Sequence, residues 1–355
     1  MISLFKKNFL GIDIGTNAIK VVELSKSGKK IKLENYGEIS TEVLYGAPFR
    51  TLEKGVLQFE AESISQALKI VFQEMKVKAK KASFSIPDFV SFFTTFILPP
   101  MSKEEIPQAV VNEARKYVPA PVSELFLDWQ SIDLKKIDHQ TGYQILLAAV
   151  PLKIIEQYRQ ISAKLDLELV SLEAEVFSLI RALVSEEKGV VGLVDSGAKT
   201  TTCSIVENGI LKISHSFDHS GEGLTKKIAE ALSLDYETAE KLKRKYGLTF
   251  GPDLVGKKIG EILKEEVDLI IKEIERVFKK FYLEEGKDVE KVIFVGGMAL
   301  LPGLLNYLEE NVKKKVEIGQ PFKNVSYPEI LRKKIEKIGP AYAVAVGLAL
   351  SGFKK

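Results

Sequence analysis

One cysteine, one tryptophan and three histidines are all that this 355-residue chain has of those residue types. The lone thiol, Cys203, excludes an internal disulfide, and with so few histidines it argues against a structural zinc site. Long apolar runs are missing too: none approaches the roughly 20 residues that a membrane-spanning helix needs. The opening residues, MISLFKKNFLGIDIG, have two lysines but no extended apolar stretch and no small-residue cleavage site. They do not read as a signal peptide. Charge of one sign is also lacking. The 51 basic and 48 acidic residues leave a net charge of +3, too balanced for nucleic-acid binding by bulk electrostatics. These absences describe a cytosolic chain without a nucleic-acid partner.

What is present is the composition of a globular protein, 45% hydrophobic and 28% charged. The length suits two or three domains at about 100–200 residues each. Residues 9–14 and 19–24 are short β-type runs around Gly15-Thr16-Asn17, and KIKLENYGEIS supplies a third strand. Apolar residues at Ile64, Leu68, Val71 and Phe72 predict a helix over 61–75. ASFSIPDFVSFFTTFILPPM reads as two strands broken at Pro87-Asp88. SKEEIPQAVVNEARKYVP then predicts a helix opened by a capping box from Ser102 to Glu105. LFLDWQSIDL and YQILLAAVP add two strands, followed by the helices LKIIEQYRQISAKLDL and AEVFSLIRALVSEE.

At residue 189 the pattern begins again. GVVGLVDSGAKTTTCSIVENGILKISHSF is a second strand–turn–strand–turn–strand unit, and placing Asp13 over Asp195 also places Gly15 over Gly197. The shared order points to an internal duplication. A glycine-bearing turn between antiparallel strands aims several backbone N–H groups into one concavity, which suits anions. An aspartate two residues ahead can hold hydrated Mg²⁺, so Asp13 and Asp195 are candidate metal-facing residues. Two such turns facing each other would clamp a triphosphate, with Lys20 adding a point charge. A third element, VEKVIFVGGMALLPGLLNYLEENV, runs a strand into Gly296-Gly297, where a flat ring could approach the backbone.

GIDIGTNAIK, GLVDSGAKTTT and IFVGGMALLPG, in this order, resemble the two phosphate motifs and the adenosine motif of the actin-like ATPase superfamily. Within it, LPPMSKEEIPQAVVNEARKYVPAPVSELFLDWQ, HSGEGLTKKIAEALSLDYETAEKLKRKYG and PAYAVAVGLALSGF are similar to segments of the PilM family of type IV pilus assembly proteins. The resemblance implies an α/β, actin-like (ribonuclease H-like, duplicated) ATPase fold with an inserted FtsA/PilM-type subdomain in place of the usual actin insert. Lobe 1 would take residues 1–84, 159–187 and 340–355, the insert 85–158, and lobe 2 residues 188–339 with a helical subdomain around 220–290.

The same resemblance implies ATP and Mg²⁺ as cofactors. Asp13 and Asp195 would face the ion through water. Gly15, Thr16, Asn17, Lys20, Gly197, Ala198, Lys199 and Thr200 would surround the phosphates. Glu240 and Lys243 would hold the ribose, and Gly296, Gly297 and Met298 would flank adenine. Glu173 would position the attacking water. Three departures stand out: Met298 and Leu300 where polar groups are usual, Lys199 in place of a glycine, and Ala174 in place of the proline after the catalytic acid. They favour binding with slow or no hydrolysis.

The implied partner is the N-terminal cytoplasmic tail of the inner-membrane protein PilN, seated beside FVSFFTTFIL, with other platform and motor components around it. Membrane association would then be indirect, and self-association is left open. Two alternatives remain. An FtsA-like division protein would carry an amphipathic anchor, whereas the sequence stops at LALSGFKK. A small-metabolite kinase would need an acceptor site, and none is evident.

Overall fold

Alternating apolar residues and glycine-bearing turns build two sheets of matching design. The computed structural model describes residues 7–41, 48–53, 56–137, 140–249, 251 and 253–353. In the first half, β1 (Lys7–Ile14), β2 (Ala18–Ser27) and β3 (Lys30–Ser40) form an antiparallel meander. A small hairpin, β4 (Thr51–Glu53) and β5 (Val56–Gln58), precedes helix α1 (Ala61–Met75). Ile64, Ala67, Leu68, Val71 and Met75 fall on one face of α1 and are buried, each apolar side chain contributing about 1.5–3 kcal/mol where fully covered. Strand β6 (Lys81–Ile86) then pairs parallel to β1.

The chain next leaves the sheet. Strand β7 (Phe92–Leu98), helix α2 (Ile106–Ala114), β8 (Leu125–Ile137) and β9 (Gln140–Pro151) make a separate three-stranded sheet in the order β7-β9-β8. Phe96, Leu98, Ile106, Val110, Ile145 and Leu147 form its own small core. The Ser102–Glu105 contact predicted from sequence is present, the Ser102 N–H donating to the Glu105 carboxylate at 2.8 Å. It closes a turn ahead of the helix, however, because Pro107 sits in the first helical turn and α2 starts only at Ile106. Helix α3 (Leu152–Lys164) returns to β10 (Glu168–Ala174), which pairs parallel to β6. Helix α4 (Glu175–Leu179) follows and loosens into a π-turn over Ile180–Val184.

The second half repeats the scheme. Strands β11 (Val190–Ser196), β12 (Thr201–Glu207) and β13 (Ile210–Phe217) form the meander. Helices α5 (Gly221–Leu232), α6 (Tyr236–Tyr246) and α7 (Leu254–Glu285) lead to β14 (Lys291–Val295), and α8 (Leu304–Asn311) leads to β15 (Lys315–Ile318). Helices α9 (Arg332–Ile338) and α10 (Ala343–Ser351) end the described chain. The sheet orders, β3-β2-β1-β6-β10 and β13-β12-β11-β14-β15, are the same when matched strand for strand. Register agrees as well: Asp13 lies opposite Lys20 as Asp195 lies opposite Thr202. Among the described residues no helix is long and apolar enough to cross a membrane.

The halves are joined by exchanged helices. Helix α4 leaves the first sheet, but its Val176 and Leu179, with Ile180 of the following π-turn, pack with Val191, Leu193, Ile293 and Val295 of the second. Helix α10 follows the second sheet and lays Ala345, Val346 and Ala349 against Val22 and Leu24 of the first. Where these helices cross, a Cβ on Gly347 would come within 2.0 Å of the Ser178 carbonyl oxygen, and where α10 lies on β1, one on Gly11 would come within 1.9 Å of the Ala345 carbonyl. Only glycine allows backbones this near. Gly347→Ala and Gly11→Ala are each expected to destabilise the protein by roughly 2–4 kcal/mol. Gly223→Ala, in α5 with open space around it, should instead stabilise by about 0.5–1 kcal/mol. Urea denaturation of the three variants checks both signs.

Candidate functional site

Strand periodicity decides which way each aspartate faces. On β1, Leu10, Ile12 and Ile14 join the core under α1 and α3, so Gly11 and Asp13 turn to the opposite face, toward α10. On β11, Val191 and Leu193 meet α4 and α10, and Asp195 has the same parity. Both carboxylates therefore stand at strand ends on the surface shared by the two halves. Their turns are built alike. The Gly15 N–H donates to the Ala18 carbonyl at 3.0 Å, and the Gly197 N–H to the Thr200 carbonyl at 2.9 Å. Backing contacts fix them. The Asn17 and Thr16 carbonyls accept from Thr41 and Phe49, while the Gly197 and Ala198 carbonyls accept from Gly221 and Glu222 at the start of α5.

The electrostatics of this surface are unusual. Asp13 is buried and accepts a hydrogen bond from Ser85 at 2.9 Å. Asp195 is pushed up to about 7, chiefly by burial and then by the negative charges of Glu175 and Asp13, with Lys20 and Arg50 offsetting part of this. Glu175 is the first residue of α4, at the end of β10. Its carboxylate accepts from the Arg50 guanidinium at 3.1 Å and from the Asp88 N–H at 3.2 Å. The Asp88 carboxyl accepts in turn from the Val176 N–H at 3.1 Å. Burial and the neighbouring Glu175 hold Asp88 well above the usual carboxylate range. Glu175 is raised by burial and Asp13 despite the attraction of Arg50.

Glu173, which the family resemblance assigns to water positioning, is ion-paired. Its carboxylate is engaged by the Arg181 guanidinium at 2.7 Å and by the hydroxyls of Ser171 and Ser178. Arg181 also donates to the Gly347 carbonyl at the helix crossing. The acid that acts on both aspartates is Glu175, two residues later. Sequence reading missed it because the strand ends at Ala174, so alternation no longer tells where the next side chain points. Arg50, Asp88 and Ser85 were missed as well. The sequence shows at that strand end only a break at Pro87-Asp88.

A second set of residues gathers beside the Gly197 turn. Asp235 caps α6, accepting from the Thr238 N–H at 2.8 Å, and this starts the helix so that Glu240 and Lys243 share a face. The Lys243 ammonium uses all three donors, on Glu240 at 2.6 Å, Thr225 at 2.7 Å and the Gly221 carbonyl at 2.8 Å. Burial works against both charges. For Glu240 the pairing with Lys243 more than offsets it, whereas for Lys243 burial prevails and lowers its pKa. Gly296, at φ +88°, leaves room for Asp195: a Cβ there would lie 2.4 Å from the carboxylate oxygen. Met298 accepts from Ser196 at 2.9 Å and borders Gly221. Gly297 opens a short turn with free space beside it. Lys20, Lys199 and Thr200 are half-buried along the two turns. A cavity of about 680 Å³, lined by Arg181, Glu187, Glu317 and Tyr327, contains none of these residues.

The ionised form of Asp195 is costly in this surface. Between an unfolded value near 3.8 and the folded value of about 7, the folded state keeps a proton that the unfolded chain has lost. Its contribution to stability therefore falls as pH rises through that window. Asp195→Asn is expected to stabilise the nucleotide-free protein by about 1–3 kcal/mol at pH 8. The gain should shrink steadily toward pH 4 in thermal melts across that range.

Comparison with known proteins identifies the family and the fold. The family model described as Type IV pilus assembly protein PilM matches residues 11–353. The cell division protein FtsA of Streptococcus pneumoniae is 22% identical over 354 residues, 88% of this chain and 75% of the relative. Among solved structures, a PilM–PilN type IV pilus biogenesis complex is similar at a TM-score of 0.83 and 24% identity, covering 98% of each chain. MreB5 of Spiroplasma citri bound to AMPPNP gives a TM-score of 0.51 and 15% identity over 96% of this chain and 94% of the other. The paired sheets, their exchanged helices and the insert are those of an actin-like ATPase fold, and the chain belongs to the PilM family of type IV pilus assembly proteins.

Proposed function

We propose that this protein binds Mg²⁺–ATP between its two glycine turns and uses that site to control recruitment of a PilN tail, with slow or no hydrolysis. The observation that carries the reading is the placement of Asp13 and Asp195 at matching strand ends of the two sheets, near enough for Asp13 to help raise Asp195. Two carboxylates held together at this cost suit a hydrated divalent cation, because Mg²⁺ keeps several waters and is reached through them. When bound, the ion would neutralise the phosphate chain.

The rest of the nucleotide follows from the neighbours. The backbone turns at Gly15–Asn17 and Gly197–Thr200 offer N–H groups to the phosphates, with Lys20 and Lys199 as point charges. Glu240 supplies carboxylate acceptors for ribose hydroxyls, and Lys243 holds that carboxylate and the start of α5 in place. Gly296, Gly297 and Met298 leave a flat, largely apolar seat for a base. The bound AMPPNP in the MreB5 structure supports a nucleotide in this fold. Slow turnover has a physical reason here. Glu173, the acid expected to orient a water, is held by Arg181, so it is not free to do so.

The partner reading rests on the PilM–PilN complex and on the insert. Strand β7 buries Phe96 and Leu98, but Phe92, Phe93, Thr94 and Thr95 are half-buried and Ile97 is exposed. Phe93 meets Phe177 of α4 edge-on, 5.8 Å between centroids, so this wall adjoins the helix that carries Glu175. An extended peptide docking beside it would touch the nucleotide site through α4. Calorimetry should show saturable Mg²⁺–ATP binding that EDTA abolishes, and a micromolar-range complex with the PilN N-terminal peptide. A Lys243→Ala variant should bind ATP about tenfold more weakly. Absence of nucleotide binding contradicts the first half of the reading, and no peptide binding with or without ATP contradicts the second.

A further inference from the structure

Arg50 is the one arginine that faces the carboxylates of the proposed nucleotide site. Its side chain is 8% exposed, its Nη2 lies 3.1 Å from Glu175, and its guanidinium sits 5.4 Å from the centre of the Phe89 ring. Two of its nitrogens, Nε and Nη1, are buried without a well-formed hydrogen bond, and the nearest polar group, the buried Tyr158 hydroxyl, makes at most a poorly aligned one with the guanidinium. Burial works against the charge, but the carboxylates of Glu175 and Asp13 outweigh it. Buried donors left unpaired are destabilising, and a native protein retains them where a ligand or catalytic role makes use of them.

The charge balance points the same way. Asp13, Asp88, Glu175 and Asp195 adjoin one another, and Arg50 and Lys20 are the cations that act on them. A triphosphate entering this surface brings further negative charge at the end of its chain. Of the two cations, Arg50 has the planar fork that matches terminal phosphate oxygens, and it has N–H groups to spare.

We propose that Arg50 determines triphosphate specificity: in the free protein it pairs with Glu175, and with ATP bound its unused N–H groups grip the terminal phosphate. This rests on the nucleotide reading above and adds a residue that reads phosphate number. ADP lacks the group Arg50 would contact, so Arg50 contributes to ATP affinity alone. Glu175 competes with that phosphate for the same guanidinium, so its removal should help ATP.

Competition of ATP and ADP against a fluorescent nucleotide analogue tests this on the full chain. Arg50→Gln should weaken ATP about tenfold or more while leaving ADP within about twofold, and Arg50→Lys should recover part of the loss. Glu175→Gln, which keeps shape and removes charge, should tighten ATP by a larger factor than ADP. Equal changes for ATP and ADP in the Arg50 variants, or weaker ATP binding in Glu175→Gln, would overturn the assignment. Should Arg50→Gln fail to fold, the Arg50→Lys and Glu175→Gln ratios decide it. Wild-type protein that binds neither nucleotide sinks the underlying site as well, whereas wild-type binding with an unmoved ratio sinks only the role of Arg50.

Discussion

At residue 347 two helices meet backbone to backbone, since any side chain there would be driven into the Ser178 carbonyl. Most of the architecture follows from that contact. It lets α4 lie on the second sheet and α10 on the first, so each half is completed by a helix from the other. With the helices exchanged, the strand faces carrying Asp13 and Asp195 point at a common space rather than at separate cores. Arg181 reinforces the crossing by bridging Glu173 to the Gly347 carbonyl. Helix α4 itself reaches both the Arg50–Glu175 pair and, through Phe177, the Phe93 of the insert.

The facing surface itself opposes folding. Buried like charges raise Asp195, Glu175 and Asp88 above their ordinary values, and a core of apolar residues would be more stable there. Such clusters are common at functional sites, where a bound cation or phosphate rebalances the charge. The Lys243–Glu240–Thr225 group differs in kind. It is a closed network in which each charge is met, and its role is to hold α5 and α6 as a rigid wall. One side of the cleft is thus fixed, and the other waits for charge.

Much of the fold was legible because it rests on local rules. The strand runs, the helix over 61–75 and the repeated Asp-x-Gly turn follow from apolar period and turn chemistry, and the matching register of Asp13 with Asp195 bears out the duplication. The site was legible only in part. The turn residues lie within one short motif each, whereas Arg50, the Ser85–Asp88 stretch and Glu175 come from three places joined only by tertiary packing. Glu173 and Glu175 have the same parity on paper. The strand ends between them, and that boundary, which sequence locates poorly, decides which one turns toward the aspartates. A compositional hint was available: just seven of the 51 basic residues are arginine. Two of the seven, Arg50 and Arg181, are paired to these two glutamates.

The two-sided clamp has a direct test in a double-mutant cycle on Mg²⁺–ATP affinity, using Asp13→Ala, Asp195→Ala and the pair. If both carboxylates hold one hydrated ion, either single change removes most of the effect, and the double variant is only slightly weaker than the singles. Losses that add in full, or single variants that bind as the wild type does, would contradict a shared ion between the two halves.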